Sequence, residues 1–172
     1  ADCYTTHVRE DGVEAFYASK ERAIPEMAKE VRHNVEKGLY EKWKLGDISI
    51  VELQKVSKLL IERMGDLRLE LEASTKAEKE NYLACDEDRL ANVEEWSRLG
   101  ILQRMVGNGS RRFADHQGIL TDYYTSKTKL VALEFAKKLA ASIFVQISKM
   151  DEDIAAFGQK INDAIDETEK LV

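Results

Sequence analysis

The feature that most constrains the fold is the length over which apolar residues recur at steps of three and four. One such run extends from Leu53 to Leu71, and another extends from Ile143 to Ala164. These steps place side chains along one face of an α-helix, and their regular alternation is typical of a coiled-coil seam. Only one proline and nine glycines occur in 172 residues, so little interrupts long helices. We therefore predict an all-α fold.

Start and stop signals divide the chain into three helices. The first helix is predicted over 12–45, with a kink near Pro25. The second helix is predicted over 49–106 and the third over 111–170, with a tip loop at 107–110 between them.

Local signals set the limits of the second helix. Ser49 and Glu52 have the spacing of a capping box, in which each side chain accepts a hydrogen bond from the other residue's backbone N–H. The first helix should end at Gly46, because glycine readily adopts the left-handed conformation that closes a helix. A break in the polar interval 72–81 stays open, although no Gly or Pro enforces one.

The sequence VGNGSRR, residues 106–112, is interpreted as the bend of a helical hairpin. With the bend at 107–110, facing residues have numbers that sum to about 217 or 218. This register pairs Leu53 with Ile165. The second and third helices then form an elongated antiparallel hairpin that resembles a coiled coil.

One segment of the third helix predicts a further packing partner. Residues 139–147 are apolar nearly all round, and such a helix must be covered on more than one side. Folding the first helix back along the second covers this segment. The predicted architecture is a single elongated domain over 1–172. The second and third helices form the hairpin, and the shorter first helix joins them as the third member of a three-helix bundle at one end.

The ends of the chain and its cysteines favour an exported protein. The sequence starts at Ala1 rather than Met, and helical periodicity continues almost to Val172, so we expect a fragment or an ectodomain of a longer protein. Cys3 and Cys85 are either two free thiols or one long-range disulfide. Extracellular or cell-surface localisation is favoured over the cytoplasm.

Composition and motifs argue against several functions. A net charge of −6 disfavours nucleic-acid binding, which needs a basic surface. Glu30 and His33 have the spacing of a di-iron ligand pair, but the second pair that such a site needs is missing. The three histidines lie far apart in the sequence, and none has the sequence context of a catalytic nucleophile. We therefore expect no enzyme activity, no metal ion and no cofactor.

A basic tip is the first candidate binding surface. Between residues 98 and 112 there are four arginines and no acid, in a chain that is acidic as a whole. Such a tip could receive an acidic partner or a lipid headgroup, and the alternative is ordinary solvated arginines. The candidate residues are Arg98, Arg104, Asn108, Arg111 and Arg112. Asn108 also begins an N-glycosylation sequon.

Aromatic residues near the tip are the second candidate binding surface. Trp96, Tyr123 and Tyr124 fall where only two helices are predicted to cover them. Aromatic side chains that are only partly covered often anchor a partner protein. The alternative is that they pack within the hairpin itself.

The function predicted from these features is a non-catalytic helical protein–protein interaction module, with another protein as its partner. It would be a surface-exposed or scaffold domain that presents its tip or its flank. Two alternatives remain open, a membrane-active protein that inserts 139–147 and a cytoplasmic coiled-coil segment. Membrane contact and homo-oligomer formation are open as well.

Overall fold

A computed structural model describes residues 3–98, 100 and 109–172, with side chains described for 12–98, 100 and 114–172. Over these residues the chain forms four α-helices and no strand, so the predicted all-α fold is confirmed. The helices are α1, Cys3–Glu21; α2, Ile24–Lys44; α3, Ile50–Arg98; and α4, Gly109–Leu171.

Backbone contacts divide the chain into two compact units. Unit 1 consists of Ala1–Glu21 and Leu71–Ala136, and unit 2 consists of Arg22–Glu70 and Lys137–Val172. The helix α1 belongs to unit 1 and α2 to unit 2, whereas α3 and α4 contribute a segment to each. Each unit therefore contains three helical segments. The single domain stays a prediction.

Unit 2 is held together by an apolar core. Aromatic side chains of α2 close this core, since Tyr40 and Trp43 both meet the Phe157 ring edge to face, with centroids 5.2 and 4.9 Å away. The fully buried core residues come from α3 and α4: Leu53, Ile147, Met150 and Ile154. Burial of such side chains stabilises a helical unit by roughly 25 cal/mol for each Å² of apolar surface.

The helices α3 and α4 run antiparallel, but their register differs from the predicted one. The helix α3 ends at Arg98 and α4 begins at Gly109, and these two numbers sum to 207. Residues of α3 and α4 that contact each other have numbers with a similar sum. The Ser57 hydroxyl donates a hydrogen bond to Asp151 at 2.9 Å, and 57 and 151 sum to 208.

The predicted register is wrong because α3 ends eight residues before residue 106. Leu53 is fully buried, whereas Ile165, its predicted partner, is half exposed. Gly109 and Ser110 belong to the first turn of α4 rather than to a loop. Residues 107 and 108 of the predicted tip loop lie outside the described residues.

The predicted kink near Pro25 is a break between two helices. The helix α1 ends at Glu21, a turn follows, and α2 begins at Ile24 with Pro25 in its first turn. Proline is tolerated there because the amides of a first helical turn have no partner within the helix. The helix α1 also begins earlier than predicted, at Cys3 rather than at residue 12.

The end of α2 has the predicted glycine in a left-handed conformation. Gly46 has a φ of 78°. Its N–H donates to the carbonyl of Trp43 at 3.0 Å, and the N–H of Asp47 donates to the carbonyl of Lys42 at 2.9 Å. These two bonds define a Schellman motif, which satisfies carbonyls that the helix leaves unpaired.

The start of α3 has the predicted capping box. The Glu52 N–H donates to the Ser49 hydroxyl at 3.1 Å, and the Ser49 N–H donates to a Glu52 carboxylate oxygen at 3.3 Å. The helix continues unbroken through 72–81. Thr75, beside the suspected break, is buried, and its hydroxyl donates to the Leu71 carbonyl one turn earlier.

We predict that the same substitution has opposite effects at two glycines. Gly46→Ala should lower the free energy of unfolding by about 1 kcal/mol, because a Cβ is strained at positive φ. Gly38→Ala should raise it by about 0.5–1 kcal/mol, because Gly38 lies within α2 and a Cβ there meets nothing within 4 Å. Urea denaturation followed by circular dichroism measures both changes. Equal effects of one sign would contradict the assigned end of α2.

Candidate functional site

In unit 1 the half-buried face of α3 is polar and aromatic. Its positions follow one another at alternating steps of three and four, which places them along one coiled-coil seam. These residues, named the polar seam, are Thr75, Glu78, Tyr82, Cys85, Arg89, Asn92 and Trp96. None of these seven residues has an aliphatic side chain like those that form the core of unit 2.

A buried serine connects α4 to the polar seam. Ser126 is only 2% exposed. Its hydroxyl donates a hydrogen bond of 2.6 Å to a Glu78 carboxylate oxygen and accepts one of 3.2 Å from the Asn81 amide. The same amide group donates to the Glu78 oxygen at 3.2 Å. Since hydrogen bonds to a carboxylate are stronger than neutral ones, this network holds α4 at one position along α3.

A pair of tyrosines lies next along the seam. The hydroxyl oxygens of Tyr82 and Tyr123 are 3.3 Å apart, and their ring centroids are 5.5 Å apart. The hydrogen bond to Tyr123 raises the pKa of Tyr82 above its usual value of 10.0, and burial and the nearby Asp86 carboxylate add to this. Tyr82 is therefore a neutral hydrogen-bonding group at physiological pH.

An ion pair covers the outer face of this tyrosine pair. The Arg89 guanidinium lies 4.7 Å from the centroid of the Tyr123 ring, within the range of a cation–π interaction. Two of its nitrogens donate to one Asp86 oxygen, at 3.0 and 2.7 Å. The hydrogen bond to Asp86 raises the pKa of Arg89 further, so this cation is permanent.

A histidine closes the described part of the seam. The His116 ring of α4 stacks on Trp96, with centroids 5.0 Å apart and ring planes 9° from parallel. Its Nδ1 atom makes a hydrogen bond with the Asn92 side-chain oxygen. Both faces of this contact come from unit 1, so the stacked pair is part of its internal packing.

The three predicted aromatic residues all lie along this seam. Tyr123 is buried and meets Tyr124 edge to face at 5.0 Å, and Trp96 and Tyr124 are half-buried. Tyr123 is therefore covered by its own chain. A partner protein would have to contact the half-buried edges of the other two.

The structure describes only part of the predicted tip. Arg98 is exposed and forms an ion pair with Glu94 one turn earlier in α3, so its charge is offset. Arg104 and Asn108 lie outside the described residues. Arg111 and Arg112 belong to the first turn of α4, but their side chains lie outside the described part of the chain. The basic tip and the glycosylation of Asn108 stay predictions.

Cys85 is a half-buried free thiol in the polar seam. Burial raises the pKa of this thiol above its usual value of 9.0, and the carboxylates of Asp122, Asp88 and Glu78 raise it further. The thiolate is the reactive form of cysteine, so this environment suppresses its reactivity. Of the two predicted states, the structure has Cys85 as a free thiol, and the Cys3 side chain lies outside the described residues.

Three exposed apolar residues of α3 in unit 1 are not among the residues predicted from the sequence to bind a partner. Hydrophobicity alone would place Val93 on the buried face, but Asn92 takes the seam position and Val93 is 40% exposed. Leu83 and Leu90 are 53% and 54% exposed. The alternating spacing of three and four residues, continued from Thr75 without regard to hydrophobicity, would have left these residues off the buried face.

Segment 139–147 of α4 is mostly covered in unit 2. Ala140 and Ile147 are buried, whereas Val145 is half exposed. Within the described ranges, no helix is long and apolar enough to cross a membrane. The same part of the chain brings together no group of three or more His, Cys, Asp or Glu side chains that could hold a metal ion.

Comparison of the sequence and the structure with protein-family models, curated proteins and solved structures found no match.

We predict that Ser126→Ala lowers the free energy of unfolding by about 1–2 kcal/mol, because a half-buried carboxylate loses a donor. The matched control is Ser97→Ala. Ser97 is exposed and bonds only to the Val93 carbonyl of its own helix, so its loss should change stability by less than about 0.5 kcal/mol. Urea denaturation measures both. Equal effects would show that the network contributes no stability.

We also predict that Cys85 reacts slowly with iodoacetamide at pH 8. In a Cys3→Ser background, the midpoint of the rate against pH should lie above 9.0 for the folded protein and fall on unfolding in urea. Asp122→Asn should lower the midpoint, because it removes a negative charge that disfavours the thiolate. Asp166→Asn, an exposed acid in unit 2, is the control. A midpoint that Asp122→Asn leaves unchanged would contradict the assigned electrostatic contribution.

Proposed function

We propose that this chain is a non-catalytic helical protein–protein interaction module that presents the surface of unit 1 to a partner protein. The observation that carries the proposal is the distribution of residues on α3 in this unit. Glu78, Arg89 and Asn92 lie in the seam, while Leu83 and Leu90 lie exposed on the helix surface. The two leucines lie one heptad apart on one face of the helix, so one partner helix can cover both.

Energetics support a partner on this surface. Burying a leucine side chain completely is worth roughly 1.5–3 kcal/mol, and Leu83 and Leu90, which are 53% and 54% exposed, lack about half of that gain in this chain. Polar groups in the seam cost desolvation that their hydrogen bonds only partly offset. This combination is unfavourable for an isolated helical unit, and a protein that covers the leucines would offset it.

The polar seam supports a binding role in a second way. An apolar seam changes little in energy when one helix shifts slightly along the other. A buried polar residue favours one register, because such a shift leaves it without its hydrogen-bond partner. In unit 1 this role falls to the hydrogen bond that Ser126 donates to Glu78 and the one that it accepts from the Asn81 amide. A surface that another protein recognises needs such a fixed arrangement.

The proposal leaves two places for the partner, the flank of α3 and the arginine tip. A pull-down with chemical cross-linking from the natural source tests it with three variants. Tip residues are changed in the triple variant Arg104→Glu, Arg111→Glu, Arg112→Glu. The flank is changed in Leu83→Ser with Leu90→Ser. Leu59→Ser is the control, because Leu59 is a half-exposed leucine of α3 in unit 2.

We expect a protein that wild type and Leu59→Ser capture equally, and that one of the other two variants loses while remaining helical. Loss with the triple variant identifies the tip, and loss with the double variant identifies the flank. Absence of any captured protein would overturn the interaction module. Equal capture by all variants would overturn the role of unit 1.

A further inference from the structure

One face of α3 in unit 1 alternates leucine with glutamate. Its members follow steps of three and four, so they line up along the helix on the side opposite the polar seam. All of them are exposed. This surface, named the acidic leucine face, consists of Glu80, Leu83, Glu87, Leu90 and Glu94.

The charge on this surface has one sign. Every exposed charged residue between positions 80 and 97 is acidic, and the set is Glu80, Glu87, Asp88, Glu94 and Glu95. The one basic residue of this stretch, Arg89, is half-buried in the seam, where it contacts Asp86 and the Tyr123 ring. Exposed basic residues flank this stretch: Lys76 and Lys79 precede it, and Arg98, which pairs with Glu94, follows it.

We propose that the acidic leucine face docks a basic amphipathic helix of a partner protein, an inference that rests on the proposed function. Leu83 and Leu90 are one heptad apart, so both can meet the apolar stripe of a single helix laid along α3. Lysine or arginine residues beside that stripe would lie against Glu80, Glu87 and Glu94. Apolar contact and charge complementarity thus select the same class of partner.

A second copy of this chain fits the surface poorly. In a symmetric dimer the same patch meets itself, so glutamates would face glutamates whether the two helices ran parallel or antiparallel. Like charges brought together at an interface disfavour association. Two leucines also give little apolar area against the roughly 1,200 Å² that a stable interface buries. We therefore expect a weak, salt-sensitive complex with a basic partner.

Fluorescence anisotropy with designed peptides tests this proposal on the full chain. The probe is a labelled peptide of about 21 residues, three heptads with leucine at the seam positions and lysine beside them. A scrambled peptide of the same composition has the same charge but no apolar stripe. We expect the amphipathic peptide to bind about tenfold more tightly than the scrambled one, and its affinity to fall as salt rises.

Two variants and one control assign the binding to this face. Leu83→Ser with Leu90→Ser should weaken binding of the amphipathic peptide about tenfold, and Glu87→Lys with Glu94→Lys should weaken it by a similar factor. Both pairs are exposed, so the fold should tolerate them, and circular dichroism checks this. The control Leu59→Ser should bind as wild type does.

Three results would overturn the proposal. The first is equal binding of the two peptides, which would reflect net charge alone. The second is unchanged binding by the Leu83→Ser, Leu90→Ser variant. The third is a dimer, seen by sedimentation, that this variant abolishes, since a second copy would then cover the face. If the variant still captures the natural partner in the pull-down, the interaction module stands and only this docking surface is wrong.

Discussion

The register of α3 against α4 determines which side chains meet in both units. One buried serine fixes it in each unit, Ser57 on Asp151 in unit 2 and Ser126 on Glu78 in unit 1. Apolar contacts change little when one helix slips along another, but a buried hydroxyl and carboxylate that lose each other are costly. These two polar contacts therefore specify the pairing that the leucines and isoleucines stabilise.

The surface of unit 1 is a consequence of this register. With Glu78 and Tyr82 directed at Ser126 and Tyr123, the helical period places Leu83 on the opposite side of α3. A helix rotated to bury the leucines would expose the seam residues and leave Ser126 without its carboxylate. The orientation of α3 about its own axis therefore determines both the buried polar seam and the exposed acidic leucine face.

Features set by short stretches of sequence were predictable. The capping box at Ser49 and Glu52 and the glycine end at Gly46 depend on residues within one turn, and both occur as expected. The all-α fold was also predictable, because the apolar period extends over many turns. None of these features depends on which helices pack against each other.

Features that depend on packing between helices were not predictable. Gly100 lies two residues after the end of α3 at Arg98, but apolar residues recur beyond it up to Val106, so the pattern extended the predicted helix to residue 106 and shifted the register. Hydrophobicity also favoured Val93 over Asn92 for the buried face. Asn92 takes the position because it has a partner, His116, which no local pattern reveals.

Residues 80–97 of α3 in unit 1 form one of two strongly acidic stretches of the chain, and the other is residues 151–169 of α4 in unit 2. Residues 80–97 contain six acids and one arginine, a net charge of −5 in a chain whose total is −6. So many like charges on one stretch repel one another and lower its stability slightly. One of the six acids, Asp86, is offset by its ion pair with Arg89, which lies over the Tyr123 ring. The five acids that remain exposed lie around Leu83 and Leu90, so the basic helix proposed to dock there would also offset the repulsion between them.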